Sequence, residues 1–378
     1  MIQFRLLSLA GFLVVILTGS VIIEAQTSND SVTSSSSINI GLVIPDPDAK
    51  AARHGAELAI REANMEGAYG GSPFNLIVHS SEGPWGTGSK VSVSMVFDDD
   101  VVAIMGSLDG RNAHLVEQVA TKTRVVFLSA WSTDMSLSYA FVPWYFRCLP
   151  DDDQQAMALI QEIYKKRKIT SVAIIGTEEY DSRIAVNSFI KTADSMKISA
   201  PRQIIYRSFA DDSQKVLEEI DQYDVEAIIL FGKPSLASEI IPLIKRQYKN
   251  LSIFGSISLM DDQKASDPRW STLEGIILVS SGYWFTQQGI AFQEAFQDTY
   301  GYQPGPAAAY AYDGTSLIIE AINKYGPDRN KIIDGLAEMN YKTGITGEIR
   351  FDKYGNRVGI PGLMTIKNGK PLLIIADE

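Results

Sequence analysis

From Ile38 onward, short apolar runs alternate with amphipathic segments, and this alternation restricts the fold more than any other feature of the chain. The apolar runs predict strands over 38–44, 74–79, 101–105 and 125–128, and the segments between them predict helices over 51–64, 89–97 and 113–123. A second series repeats the pattern, with helices over 154–166, 184–197, 214–222 and 236–247 and strands over 171–175, 203–207, 227–230 and 252–254. Alternation of this kind builds right-handed crossover units on a parallel sheet. The expected class is α/β, with two similar doubly wound parallel sheets carrying helices on both faces.

A chain of 378 residues exceeds what one hydrophobic core comfortably serves, so two domains are expected. The net charge of -11, with no basic run longer than Lys165 to Lys168, argues against nucleic acid and anionic lipid as main partners and describes a solvated acidic surface. Residues 1–25 carry Arg5 ahead of an apolar run from Leu6 to Ile23, the pattern of an export signal. The run nearly reaches the length of a membrane span, so an uncleaved anchor is the other reading. Lipid attachment through a cleaved amino-terminal cysteine is excluded, because no cysteine lies near the end of the run. Residues 26–37 are too rich in Ser, Thr, Asn and Asp to bury anything and are expected to be a disordered leader. The single cysteine, Cys148, has no intramolecular partner, and its apolar neighbourhood predicts a buried, inert thiol.

In open parallel sheets ligands collect at the carboxyl ends of strands, which directs attention to the residues after each predicted strand. These are Pro45 and Asp46, Ser80 to Trp85, Gly106 to Arg111 and Ser129 to Thr133 in the first series, and Gly176 to Asp181, Gly232 to Ser235 and Gly255 to Ser258 in the second. Hydroxyls, backbone amides and a few aromatics dominate, groups that hold a small polar molecule but do little covalent chemistry. The glycine-rich stretch from Gly83 to Lys90 has the order Gly-Ser-Lys, which is not that of a phosphate loop. His54, His79 and His114 lie on separate elements without ligand-like spacing, so no metal site, cofactor or histidine base is expected. No Gly-x-Ser-x-Gly elbow occurs, and an enzyme is the least favoured class. The triplets Asp98 to Asp100 and Asp151 to Asp153 are read as helix-end and helix-cap residues.

Six segments then follow in a characteristic order: IMGSLDGRNAH with FLSAWSTD, YFRCLPDDDQQ, VAIIGTEEYDSRIA, GPAAAYAYDGTSLIIEAI and GITGEIRFDKYGNR. Together they resemble the solute-binding proteins of branched-chain amino acid type ABC importers, with the type I periplasmic binding fold, from about Ile38 to the carboxyl terminus. The resemblance implies two lobes joined by a three-strand hinge, with 38–145 and 282–342 in lobe 1 and 146–281 and 343–378 in lobe 2. It implies a non-enzymatic, extracytoplasmic monomer that captures a small polar ligand, an amino acid or a related carboxylate or amide, by hinge closure and delivers it to a membrane permease. A receptor subunit partnering a membrane signalling protein would use the same cleft.

Carried over by position, the resemblance places Asp109, Gly110 and Arg111 where the family commonly has a serine-rich turn, and Trp131, Ser132 and Thr133 at the polar contact of the first lobe. Tyr180 matches a tyrosine that closes over the ligand, and Asp181 stands where that tyrosine is commonly followed by glycine. Arg111 could meet an anion in bidentate fashion. Asp109 and Arg111 could equally form a surface pair or helix cap. Trp85 and Trp131 could stack on a planar or apolar ligand or be buried at a lobe edge. Lys233 and Ser258 complete the candidate set, Lys233 with a solvated rim charge as its alternative. After the strand near Phe254 the loop Gly255-Ser256-Ile257-Ser258 lacks the acid that amino acid binders often place there for the ligand ammonium, which weakens the amino acid reading.

Overall fold

The computed structural model of the chain describes residues 37–207, 209–262 and 270–374, without the side chains of 209–212. The sequence-predicted export signal and nearly all of the leader lie outside these residues. Among those described, no helix is long and apolar enough to cross a membrane.

The chain opens with β1 (Ile38–Ile44), α1 (Lys50–Met65), β2 (Phe74–Ser80), α2 (Thr87–Phe97), β3 (Ala103–Gly106), α3 (Gly110–Thr123), β4 (Val126–Ser129) and β5 (Tyr145–Arg147). These strands form one parallel sheet in the order β2-β1-β3-β4-β5. There follow α4 (Asp152–Ile160), β6 (Val172–Thr177), α5 (Tyr180–Ser195), β7 (Arg202–Tyr206), α6 (Phe209–Gln222), β8 (Ala227–Phe231), α7 (Pro234–Gln247), β9 (Ser252–Gly255), α8 (Trp270–Leu273) and β10 (Ile277–Val279). Helices α9 (Gln287–Tyr300), α10 (Pro306–Tyr325) and α11 (Arg329–Ala337) then lead through the short pair β11 (Asn340–Tyr341) and β12 (Ile349–Arg350) to β13 (Leu363–Lys367) and β14 (Lys370–Ile374). The second sheet has seven strands in the order β14-β13-β10-β9-β8-β6-β7. Its β6 to β10 are parallel, but β13 and β14 join as an antiparallel edge hairpin, a feature absent from the expectation of two parallel sheets.

Central strands such as β3, β4 and β8 are buried along their whole length, as strands covered by helices on both faces must be. Helix starts are set by polar side chains. The Asp109 carboxylate accepts the Asn112 N–H at 2.8 Å, so α3 begins at Gly110, three residues before the apolar pattern becomes visible. Asp151 and Gln154 form a reciprocal capping box on α4, the capping role anticipated for this aspartate triplet. The pattern predicted over 154–166 is α-helical only to Ile160 and continues as a wider π-turn over Gln161–Lys166.

The chain passes between the two halves three times: after β5, after β10 to helices that pack beside the five-stranded sheet, and before β13. Two of these passages are tied directly. The Arg147 N–H donates to Gly355 O at 2.8 Å, and the Arg357 guanidinium donates to Cys148 O at 3.0 Å and to Thr346 O at 2.9 Å. Arg147 itself is fully buried, its Nη2 donating to Asp134 O and Ser138 Oγ. Helix α10 packs on α1 with close backbone approach at Gly55, where an added Cβ would lie 2.1 Å from Ala308 O. The start of α10 is fixed from the other half by Asp262, whose carboxylate accepts the N–H groups of Gly305 and Ala307 at 2.8 and 2.7 Å.

Candidate functional site

Between the two sheets, at the carboxyl ends of their parallel strands, lies a cavity of about 470 Å³. Pro45 and Asp46 follow β1, Asp109 follows β3, and Trp131 and Thr133 follow β4. From the seven-stranded half come Glu179 and Asp181 after β6, with Ser182 and Ala185 further along α5. Gly232 to Ser235 follow β8, and Ser256, Ser258 and Asp261 follow β9. The size falls within the usual range of small-molecule sites, and most of the wall is apolar with convergent polar groups, the common composition of such sites.

Direct hydrogen bonds connect the two halves at the cavity margin. The Gly110 N–H donates to Asp181 Oδ1 at 2.9 Å, and the Tyr180 hydroxyl donates to Asp134 Oδ2 at 2.9 Å. His114 lies 3.2 Å from the same Asp134 oxygen and 3.4 Å from Glu117. Hydrogen bonds to Asp134 and Glu117 push the imidazole up to about 9 despite burial. For Asp134 burial opposes ionisation, but hydrogen bonds from His114, Ser136 and Tyr180 overcome it and hold the carboxyl at about 2. Around neutral pH this is an imidazolium–carboxylate pair joined to the Tyr180 hydroxyl.

Asp181 behaves oppositely. Burial, followed by the neighbouring charges of Asp109 and Asp134, pushes its carboxyl up to about 7, against the Gly110 N–H and Lys233, which favour the charged form. Asp152, buried behind Thr133, is likewise raised, chiefly by burial. Burial acts to lower the Lys233 ammonium, but Glu179, 3.2 Å away, together with Asp181 and Asp109 outweighs it and raises the group. Among the described residues no group of acidic, histidine and cysteine side chains could hold a metal ion.

Of the ten candidate residues, the structure brings Asp109, Trp131, Thr133, Lys233 and Ser258 into the cavity wall. Ser132 is buried beside it, its hydroxyl accepting the Asp134 N–H at 3.4 Å. Gly110 sits between the halves: a Cβ there would lie 2.9 Å from both Asp134 Oδ2 and Asp181 Oδ1, so the missing side chain is what lets these carboxylates approach. Tyr180 is at the margin, committed to Asp134, and Arg111 stacks on its ring at 5.6 Å without lining the cavity. Trp85 is 72% exposed on the loop before α2 and stands apart from the others. Asp109 is also the cap of α3.

Three lining residues, Ser182, Ala185 and Asp261, escaped the sequence reading. Ala185 lies one helical turn beyond Asp181, a position that becomes visible once α5 is known to start at Tyr180. Asp261 lies past the loop that seemed to lack an acid. A 3₁₀ turn over Ile257–Met260 carries the chain round and places Asp261 in the wall, so this side of the cavity does present a carboxylate. An acid one short turn beyond a strand end was the available signal.

A family model described as periplasmic binding protein matches residues 38–365. The chain belongs to the periplasmic binding protein family. The solved structures agree with that membership in fold. The branched-chain amino acid transporter substrate binding protein LivJ from Streptococcus pneumoniae, in complex with isoleucine, superposes with a TM-score of 0.77 at 20% identity, covering 90% of this chain and 99% of that one. The leucine binding protein LivK from Thermotoga maritima gives 0.77 at 17% identity, covering 89% and 98%. A solute binding protein of an ABC transporter from R. palustris, in complex with benzoate, gives 0.76 at 17% identity, covering 91% and 98%. The resemblance noted from the sequence motifs therefore holds for this periplasmic binding protein, in family and in fold.

Proposed function

We propose that this periplasmic binding protein is an extracytoplasmic solute receptor, which captures a small polar ligand of about amino acid size in the cavity between its two sheets and delivers it to the permease of an ABC importer. The observation that carries the reading is the cavity itself, walled by strand ends from both halves around Trp131 and Thr133. Capture works by closure of the seven-stranded half against the five-stranded half about the three chain passages. Contacts that exist only when both halves meet the ligand favour the closed population. The bonds Gly110–Asp181 and Tyr180–Asp134 belong to that closed arrangement. The amino terminus acts as an export signal, and the protein works as a monomer without turnover of its ligand. Transporter membership of the solved relatives supports import over sensing.

A thermal-shift screen of amino acids, small carboxylates, amides, amines and aromatic acids tests the reading. A cavity ligand at a hundred times its dissociation constant adds about 2.7 kcal/mol to the native state. The shift is expected to vanish in Trp131→Ala and Thr133→Ala while the ligand-free melting point stays within a few degrees. A ligand whose shift survives both changes would place binding elsewhere and refute the assignment.

A further inference from the structure

The charge of the cavity wall narrows the ligand further, on the basis of the capture reading above. Five carboxylates line it, from Asp46, Asp109, Glu179, Asp181 and Asp261, and among the described residues Lys233 is the one basic side chain in the wall. Lys233 is itself paired with Glu179 at 3.2 Å, so the cation of the wall is already engaged by one of these acids. Such a wall repels an anion and attracts a cation.

Several backbone donors near the cavity are already occupied from within. At the start of α3 the Gly110 N–H is taken by Asp181 Oδ1 at 2.9 Å, and the Asn112 N–H by Asp109 Oδ1 at 2.8 Å. Helix starts are natural anion sites, and here the chain fills one with two carboxylates of its own, one from each half. Near the start of α5 the Thr177 N–H is taken by Ser182 Oγ at 2.8 Å, and α7 opens on Pro234, which has no N–H to offer. The acids of the wall outnumber its one basic side chain. Ser256, only 2% exposed, adds a hydroxyl to the lining of the cavity. Trp131 adds an aromatic surface, which suits an alkyl or aryl body and the margin of an ammonium group.

We propose that the cavity takes a small organic amine that carries no carboxylate, with its ammonium against Asp181 and Asp109 and its carbon body against Trp131. The titration of Asp181 fits this arrangement. With a carboxyl raised to about 7 by burial and then by Asp109, it is only partly ionised at neutral pH, and an ammonium beside it draws the proton off. Amine binding therefore releases a proton and weakens as the pH falls below 7.

Isothermal titration calorimetry of matched pairs at pH 8 tests the proposal, with 2-methylbutylamine against isoleucine and benzylamine against benzoate. Each amine is expected to bind at least about tenfold more tightly than its acid counterpart, to lose affinity at pH 6, and to release a proton in buffers of different ionisation heat. Asp181→Gly frees the Gly110 N–H and is expected to shift the preference toward the acids. Asp181→Asn keeps an acceptor for that N–H and is expected to weaken the amines without admitting the acids. Isoleucine or benzoate binding the wild type more tightly than its amine would overturn the amine proposal and leave capture standing. Silence from all four compounds overturns the amine proposal as well, and silence across the wider thermal-shift screen removes capture with it.

Discussion

Replacing Asp181 with asparagine tests the electrostatics of the cavity through folding alone, without any ligand. The carboxyl rises from its ordinary 3.8 to about 7, first through burial and then through Asp109 and Asp134. At about 1.36 kcal/mol per pH unit this sets an upper bound of about 4 kcal/mol on the cost of ionising it in the folded state. Residual contact with solvent reduces this to roughly 1–3 kcal/mol. The sign follows from linkage. A group whose folded pKa lies above its unfolded value contributes stability that is complete below pH 3.8 and is lost as pH rises through 7. An asparagine side chain would keep the shape and an acceptor for the Gly110 N–H but cannot ionise. Asp181→Asn is therefore expected to match the wild type near pH 4 and to exceed it by roughly 1–3 kcal/mol at pH 8, a rise of roughly 0.3–1 M in the urea midpoint. Urea unfolding at pH 4, 6 and 8 measures the difference directly. A variant less stable than wild type at pH 8, or a difference constant with pH, would show that Asp181 is not held against other carboxylates and would refute the reasoning.

Other expectations rest on geometry. Tyr180→Phe removes the hydroxyl donated across the halves to buried Asp134 and should lower ligand affinity by roughly 5- to 30-fold, the equivalent of about 1–2 kcal/mol, without changing the far-ultraviolet spectrum. Unchanged affinity would mean that the bond contributes nothing to closure. Gly55→Ala places a methyl 2.1 Å from the Ala308 carbonyl, where backbone cannot yield cheaply, and should cost about 2 kcal/mol in urea unfolding although alanine is the better helix former by about 1 kcal/mol. A stability gain in that variant would show that α1 and α10 can move apart.

Much of the fold was legible because its causes are local. Apolar runs such as Ala227–Phe231 have no polar break, and the helical pattern of α7 is bounded by Pro234, so strand and helix could be told apart by length and periodicity. Helix starts were placed late at α3 and α5, because Asp109, Gly110, Tyr180 and Asp181 are polar or small and carry no apolar period. The hairpin of β13 and β14 was missed for a related reason. Lys370 to Ile374 is a half-exposed edge, and its pairing with β13 depends on β13 first reaching β10 from far along the chain.

The site divides in the same way. Strand ends can be listed from the sequence, and that list contained most of the cavity wall, including Trp131, Thr133 and Lys233. Position along the chain does not say which strand ends face one cavity, and Trp85 and Arg111 share the list while lying outside the wall.

By itself the amino-acid sequence determined the alternation of elements, the two-sheet class and the family motifs, since each follows from periodicity and residue type within a few dozen residues. Only the tertiary structure decided the charge of the cavity and the pairing of its groups. Asp181 meets Gly110 across 71 positions and Tyr180 meets Asp134 across 46, and the energies of such contacts depend on burial and distance between residues that the chain order leaves apart.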